Sequence, residues 1–349
     1  ELIYTHKDIR HLVRYAKERG ITIIPEIDTP GHTSSWNIGY PGSSIECIVG
    51  ETNTGILDIA NPQVYEIIQG LYYELSELFE SSHIHIGADE AHTSCWTQNK
   101  TYVKSATPFW QERNISPTSE VDISNYYYNK LFQYVKDNNC TVVAWDELLD
   151  LSLRDIPQTT IIQYWRGWIY GKYRASLQSG YKTLLSANWY LSQLSRRNEE
   201  RNWKYFYTSN DLNLEIANTF PDLAIGGEVC LWAELVGVEE RDLVLWPKSA
   251  VVGERLWTNT SRYETAEERL NDWICRVQRR GIVTSEIEPG YCKLPNTDKP
   301  RERRVTLEES SDIDFNSDNY QKPPGMVFYV TVLFFGLMGL IVGFFVKCN

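Results

Sequence analysis

The chain has 349 residues, enough for one large domain or two, and an ordinary globular composition. Its net charge of −12 argues against a nucleic-acid partner and gives no reason to expect a polyanion. The 12 Trp and 22 Tyr supply flat apolar faces that can stack on sugar rings, although most aromatic residues serve a core.

The first predicted element is a helix from Tyr4 to Arg19. A strand from Ile21 to Ile27 follows, in an apolar run that ends Asp28-Thr29-Pro30-Gly31-His32. A helix from Pro62 to Glu80 leads to a strand from Ser82 to Gly87, which alternates apolar and polar and ends in Asp89-Glu90. Next come a helix from Ser119 to Asn138 and a strand from Thr141 to Trp145. Shorter connections lead to strands near Thr160–Trp165, Lys182–Ser186 and Ala224–Trp232, and a last helix spans about Thr265 to Arg280. This alternation predicts a parallel sheet wrapped by helices. Each strand finishes in Trp, Tyr, Asp, Glu or His. Polar and aromatic groups are therefore expected at one rim of a parallel barrel, where such folds keep their sites. The reading gives six strands where a closed barrel needs eight, and the chain opens in a helix that should follow a second strand. The expectation is an α/β (β/α)8 TIM barrel lacking its first two strands.

Asp89 and Glu90 carry the strongest chemical signal. Two carboxylates crowded into a pocket shift each other's pKa, and one tends to stay protonated near neutral pH. A general acid for glycoside cleavage needs that property. Taken alone, Asp-Glu equally describes a solvated acidic turn; the other strand endings weigh against it. His32 could simply cap its loop, and tryptophans at strand ends pack cores by default. Asp28 and Glu228 are read as structural salt-bridge partners and left out of the site. A metal-dependent barrel hydrolase is the rival reading, with His83 and His85 two apart on one strand and His92 and Asp89 completing a ligand set. Against it, the other strand ends carry tryptophans rather than ligands, so no metal and no cofactor are expected.

Pro25 to His32, His85 to Glu90, the Trp145 strand, Trp189-Tyr190, Gly226 to Glu234 and Trp246 to Trp257 together resemble the family 20 glycoside hydrolases. The resemblance runs from about Tyr4 to Cys292, in order, and is strongest to animal lysosomal β-N-acetylhexosaminidase subunits. It implies retaining, substrate-assisted removal of terminal N-acetylglucosamine or N-acetylgalactosamine from glycoconjugates. It implies Glu90 as general acid/base, Asp89 as the residue that orients the acetamide N–H, and His32 as the histidine that tunes the acid. Trp145, Trp165 and Trp232 match the aromatic walls around the acetamide, Tyr190 the hydroxyl on the acetamide oxygen, and Glu234 the acid on the outer sugar hydroxyls. Two family residues, an arginine for the sugar hydroxyls and an aspartate that orients the histidine, would lie in the absent front part. Ser192-Gln193 stand where one animal subunit has Asn-Arg and its sister Asp-Leu, so a preference for anionic substrates stays open. The alternative within the resemblance is an inactive, membrane-anchored carbohydrate-binding protein.

The resemblance also implies disulfides Cys47–Cys95 and Cys275–Cys292, which leaves Cys140 and Cys230 as buried thiols in or beside strands. Sequons at Asn99, Asn139 and Asn259 favour the secretory pathway; a fourth, at Asn114, is weakened by Pro117. Residues 1–292 are read as the barrel and 293–325 as a polar stalk without a core. Met326 to Val346 is a run of 21 residues without a charge, long enough for a transmembrane helix, with 347–349 as a short tail. A GPI signal is the rival for this run. Either anchor leaves the barrel lumenal or extracellular, lysosomal or at the cell surface, and a homo- or heterodimer is compatible with the reading.

Overall fold

The computed structural model describes residues 3–50, 52–191, 202–232, 236–258, 262–292, 328–334 and 340–346. Eight strands share one sheet: β1 (Ile21–Thr29), β2 (His83–Gly87), β3 (Thr141–Trp145), β4 (Ile161–Tyr164), β5 (Lys182–Leu185), β6 (Ala224–Gly227), β7 (Phe328–Phe334) and β8 (Leu340–Val346). The spatial order is β6-β5-β4-β3-β2-β1-β7-β8. Every neighbouring pair in it is parallel except β7 and β8. β8 approaches β6, so the sheet curls towards closure.

The helices form where the sequence supplies caps and stripes. Helix α1 (His6–Lys17) starts in a capping box, with Thr5 and Asp8 satisfying each other's backbone N–H groups. Its apolar stripe, Ile9, Val13 and Ala16, packs on Ile23, Leu78 and Phe79. Helix α2 (Pro62–Phe79) starts with Asn61 as cap and Pro62 at its first position. Helix α3 (Glu120–Asp137) is capped by Ser119. Strand residues Ile84, Ile86, Val142, Ala144 and Ile162 bury their side chains among Ile68, Tyr72, Tyr127, Tyr128 and Leu131 of α2 and α3. A second core gathers Leu185 and Trp189 with Val251, Val252 and Leu256 of α4 (Lys248–Trp257) and Leu270 and Ile274 of α5 (Ala266–Arg279). Side chains that point the other way meet across the barrel: His85 of β2 reaches Gln163 of β4, past the intervening β3.

The six expected strands and four expected helices are present, with ends moved by a few residues. The strand expected to reach Trp232 stops at Gly227, and a single bridge, Tyr190 to Cys230, continues it. The sequence reading missed the helix Lys100–Gln111, which carries Pro108 in its interior. It also missed two short ribbons between His32 and α2.

The apolar run at the C-terminus is where a membrane-spanning helix is expected. Its described residues form β7 and β8, and β7 pairs in parallel with β1. No helix among the described residues is long and apolar enough to cross a membrane. The physical reason lies in the composition. A run rich in Val, Phe, Leu and Ile satisfies a buried strand as well as a helix, and hydropathy alone does not separate them. Pairing with β7 satisfies the backbone groups on the side of β1 away from β2.

Both expected disulfides are formed, Cys47–Cys95 and Cys275–Cys292. Cys140 and Cys230 are free; Cys230 is buried, whereas Cys140 is only half-buried. Asn139 is exposed, Asn99 is half-buried with its Oδ1 capping Lys100–Gln111, and Asn259 lies outside the described residues. The Cys47–Cys95 bridge closes 48 residues of chain, between the excursion after His32 and the segment after Glu90. Restricting a loop of that length in the unfolded chain is worth about 4 kcal/mol on a chain-entropy estimate. Replacing both cysteines by alanine should therefore lower the unfolding free energy in urea by about 3–5 kcal/mol. A change below about 1 kcal/mol would show that the bridge does not restrain the unfolded chain.

Candidate active site

The ends of β1 and β2 build the acidic half of the site. At the end of β1 the pairing with β2 slips: Glu26 lies opposite His85, but Thr29 lies opposite Gly87. Such a bulge re-aims side chains, and Asp28 sits in it. Asp28 Oδ1 accepts the backbone N–H of Ala88 at 3.1 Å, and its Oδ2 accepts His32 Nδ1–H at 2.5 Å. A Cβ at Gly87 would collide with Asp28 Oδ1, so only glycine lets the two strand ends approach this closely. His32, Ala88 and Glu90 all have left-handed backbones, with φ of 55°, 76° and 50°. Non-glycine residues seldom adopt that region, and such conformations gather at functional sites.

His32 reaches three carboxylates. Its Nδ1 bonds Asp28 and lies 4.0 Å from Asp89 Oδ2, and its Nε2 lies 3.3 Å from Glu90 Oε2. Burial alone would lower its pKa, but the bonds to Asp28 and Glu90 and the charges of Asp28 and Asp89 outweigh it and raise the value to about 11. His32 is therefore an imidazolium at neutral pH, donating from both nitrogens.

Asp89 and Glu90 point into different environments. Asp89 is buried, and burial, with the charge of Asp28 beside it, pushes its pKa well above the usual carboxylate range. The Glu90 side chain is 56% exposed, and the hydrogen bond from His32 lowers its pKa. The expectation that the adjacent carboxylates shift each other is not what separates them: burial and then the charge of Asp28 raise Asp89, and His32 lowers Glu90. Asp28, set aside on sequence, thus orients His32 and adds to the upward shift that burial imposes on Asp89. Its position four residues before His32, across a Pro-Gly turn, was the available signal.

The aromatic half comes from the ends of β3, β4, β5 and β6. Trp145, Trp165, Tyr190 and Trp232 form one cluster. Ring centroids lie 6.4 Å apart for Trp145–Trp165, 6.0 Å for Trp145–Trp232 and 5.8 Å for Trp165–Tyr190. Trp145 and Tyr190 are buried, while Trp165 and Trp232 are partly open. The indole of Trp165 donates to Glu147, whose pKa burial and the charge of Asp146 push up to about 7. Glu234, Ser192 and Gln193 lie outside the described residues.

His83, His85 and His92 do not assemble the metal set of the rival reading. His85 is fully buried in the barrel interior against Gln163, and His83 Nδ1 bonds Ser82. Among the described residues, potential ligand atoms gather only at Asp28, His32 and Asp89. There His32 Nδ1 already donates its proton to Asp28.

Aromatic walls stand beside an acid pair and a charged histidine at the carboxyl rim of parallel strands, the place where enzymes of barrel type keep their sites. Residues 1–260 match the catalytic domain of glycosyl hydrolase family 20, and the chain belongs to that family. It is 32% identical to β-hexosaminidase subunit alpha of Rattus norvegicus over 300 residues, covering 83% of this chain and 55% of the relative. To β-hexosaminidase subunit beta of Homo sapiens it is 31% identical over 300 residues, with coverages of 84% and 52%. The chain thus spans about half the length of the curated relatives it matches. Among solved structures, a chitobiase from Flavobacterium johnsoniae is similar at 28% identity and a TM-score of 0.64, over 80% of this chain and 43% of that one. A β-N-acetylhexosaminidase from Bacteroides fragilis shares the fold, at 18% identity and a TM-score of 0.67, over 81% of this chain and 58% of that one.

The His32 ion pairs have a measurable consequence. Its folded pKa of about 11 lies above the ordinary value of 6.5. Its stabilisation is therefore complete below pH 6.5 and is lost as the pH rises towards 11. In urea unfolding, the gap between wild type and His32→Asn should be wide at about pH 6 and narrower at about pH 10. A gap that does not change with pH would mean that His32 is neutral in the folded protein.

Proposed function

We propose that the chain is the catalytic barrel of a retaining β-N-acetylhexosaminidase that removes terminal N-acetylglucosamine or N-acetylgalactosamine from glycoconjugates with help from the substrate's own acetamide. The observation that carries this reading is the placement of a buried Asp89 beside an aromatic box, with Glu90 open to solvent next to it. An aromatic box encloses a methyl group, a buried carboxyl can meet an amide N–H, and an open carboxyl can reach the glycosidic oxygen.

The chemistry follows from redistributing one proton. A sugar that covers Glu90 removes its water, and desolvation raises its pKa towards the acid form. Positive charge developing on the acetamide favours the ionised form of Asp89. The acetamide oxygen attacks the anomeric carbon as the glycosidic bond breaks, and Glu90 gives its proton to the departing oxygen. The oxazolinium N–H is then held by the Asp89 carboxylate, with the rings of Trp145, Trp165 and Trp232 around the methyl and the Tyr190 hydroxyl on the acetamide oxygen. Water attacks the same carbon and leaves its proton on Glu90, which restores the amide and retains the configuration. Glu234 is proposed for the outer sugar hydroxyls. No cofactor enters this sequence.

Glu90→Gln should lower kcat on unactivated N-acetylglucosaminides by at least about 10²-fold, the usual contribution of a positioned general acid. The matching substrates with a plain 2-hydroxyl should be nearly inert with either protein. A loss of threefold or less, or equal cleavage of the two substrate types, would remove the acid role or the acetamide role respectively. Sugar binding without any turnover in the full-length protein would favour the carbohydrate-binding alternative.

Placement in the secretory pathway, lumenal or extracellular, is supported by the two disulfides and the exposed sequon at Asn139. Membrane anchoring through residues 326–346 and a dimeric state are the finer parts of the proposal. The uncharged run supports the first, since Leu, Ile, Phe and Val each contribute about −0.3 to −0.6 kcal/mol at the centre of an inserted helix. Expressed protein should then stay with membranes through a carbonate wash, and truncation after Gly325 should release it. Full-length protein in the soluble fraction would assign the run to the sheet.

A further inference from the structure

The interior of the barrel holds a line of buried polar groups behind the aromatic wall of the site. It runs from Trp145 through Glu26, His85 and Gln163 to Glu228, and all five are essentially inaccessible to solvent. The donor and acceptor pattern fixes where each proton lies. At one end Glu228 Oε1 receives Gln163 Nε2, Ser186 Oγ at 3.0 Å and Cys230 Sγ at 3.3 Å. Because Gln163 turns its amino group to Glu228, it turns its carbonyl to His85 Nε2, at 3.1 Å. His85 Nε2 must therefore carry the ring proton. His85 Nδ1 is left bare and accepts the backbone N–H of Gly87 at 3.0 Å.

Glu26 Oε2 lies 3.3 Å from this nitrogen but makes no hydrogen bond to it, because the lone pair already accepts Gly87. A buried carboxylate with one oxygen unpaired is costly to charge, so the neutral form is favoured. The other oxygen of Glu26, Oε1, accepts the indole N–H of Trp145 at 3.0 Å. We infer that Glu26 is a neutral carboxylic acid that acts as a positioning residue, holding Trp145 in the aromatic wall of the site from inside the barrel. Burial and the charge of Asp28 favour the neutral form of Glu26, and burial keeps His85 neutral by lowering its pKa to about 3.

A neutral acid has an isostere in glutamine, and a carboxylate does not. The side chain of Gln offers Trp145 the same carbonyl and carries no charge. With the activity proposed above, on which the kinetic half of the test rests, Glu26→Gln should keep kcat and KM within about twofold of wild type. Glu26→Leu leaves the indole N–H without its acceptor; misplacing a wall of the site should cost up to about 10²-fold in kcat/KM, with KM raised. A residue that only holds the fold would instead lower kcat through the folded fraction and leave KM unchanged. Infrared difference spectra between wild type and Glu26→Gln at neutral pH give a reading independent of turnover: one protonated-carboxyl band should disappear in the variant. An unchanged carboxyl band, or Glu26→Gln as impaired as Glu26→Leu, would overturn the inference. Should Glu26→Leu fail to fold, the wild type and Glu26→Gln pair decides it by the same kinetic and infrared readings. A wild-type protein that shows the band but no turnover would sink the proposed activity and leave this assignment standing.

Discussion

The two hydrogen bonds accepted by Asp28 hold the rest of the site in place. One comes from His32 and the other from the backbone of Ala88, so a single carboxylate ties the end of β1 to the end of β2. Without that tie, His32 would not stand between Asp89 and Glu90, and the left-handed turn at Ala88 would lose its partner. The tie needs a backbone approach that excludes any side chain at Gly87. It also needs the bulge that displaces Asp28 from regular pairing. Local strain at three residues is thus compensated by one buried, charge-assisted contact.

The same contact separates the two acids electrostatically. Asp28 raises Asp89 by its charge, and it keeps His32 charged, which lowers Glu90. Neighbours in sequence are thereby driven apart in pKa, although they share a backbone turn. Pairs of carboxyl groups in sites of this kind take their roles from environment and not from residue type. Burial decides for Asp89; exposure and the histidine decide for Glu90.

Much of this was legible in the sequence, and the reasons are specific. Helix starts at Thr5, Asn61 and Ser119 are chemical signals, and each is used as a cap. Strand endings in Trp145, Trp165 and Tyr190 read correctly as a rim because parallel strands bring their carboxyl ends together. Asp28 was harder. Its role depends on a register slip, which no residue pattern announces. Glu26 and Gln163 were passed over because a polar residue within an apolar strand looks like an interruption. Only the spatial order β1-β2-β3-β4 around the barrel interior shows that these interruptions meet. His85 was noticed for its spacing from His83, but spacing says nothing about which ring nitrogen is free.

The C-terminal run shows where hydrophobicity stops being informative. A helix in a bilayer and a strand in a parallel sheet answer the same demand, that backbone N–H and C=O groups be satisfied where water is absent. The helix meets it within the segment, at any position where lipid is available. The strand meets it only against neighbouring strands, here β1 on one side of β7 and β8 on the other. Both answers favour Phe, Val, Leu and Ile, so composition cannot choose between them. The choice belongs to the partner: the state that wins is the one whose surroundings pair the backbone most completely. In this structure β7 pairs with the strand carrying Glu26 and Asp28. The apolar run, far away in sequence, therefore lies one strand from the residues that organise the site.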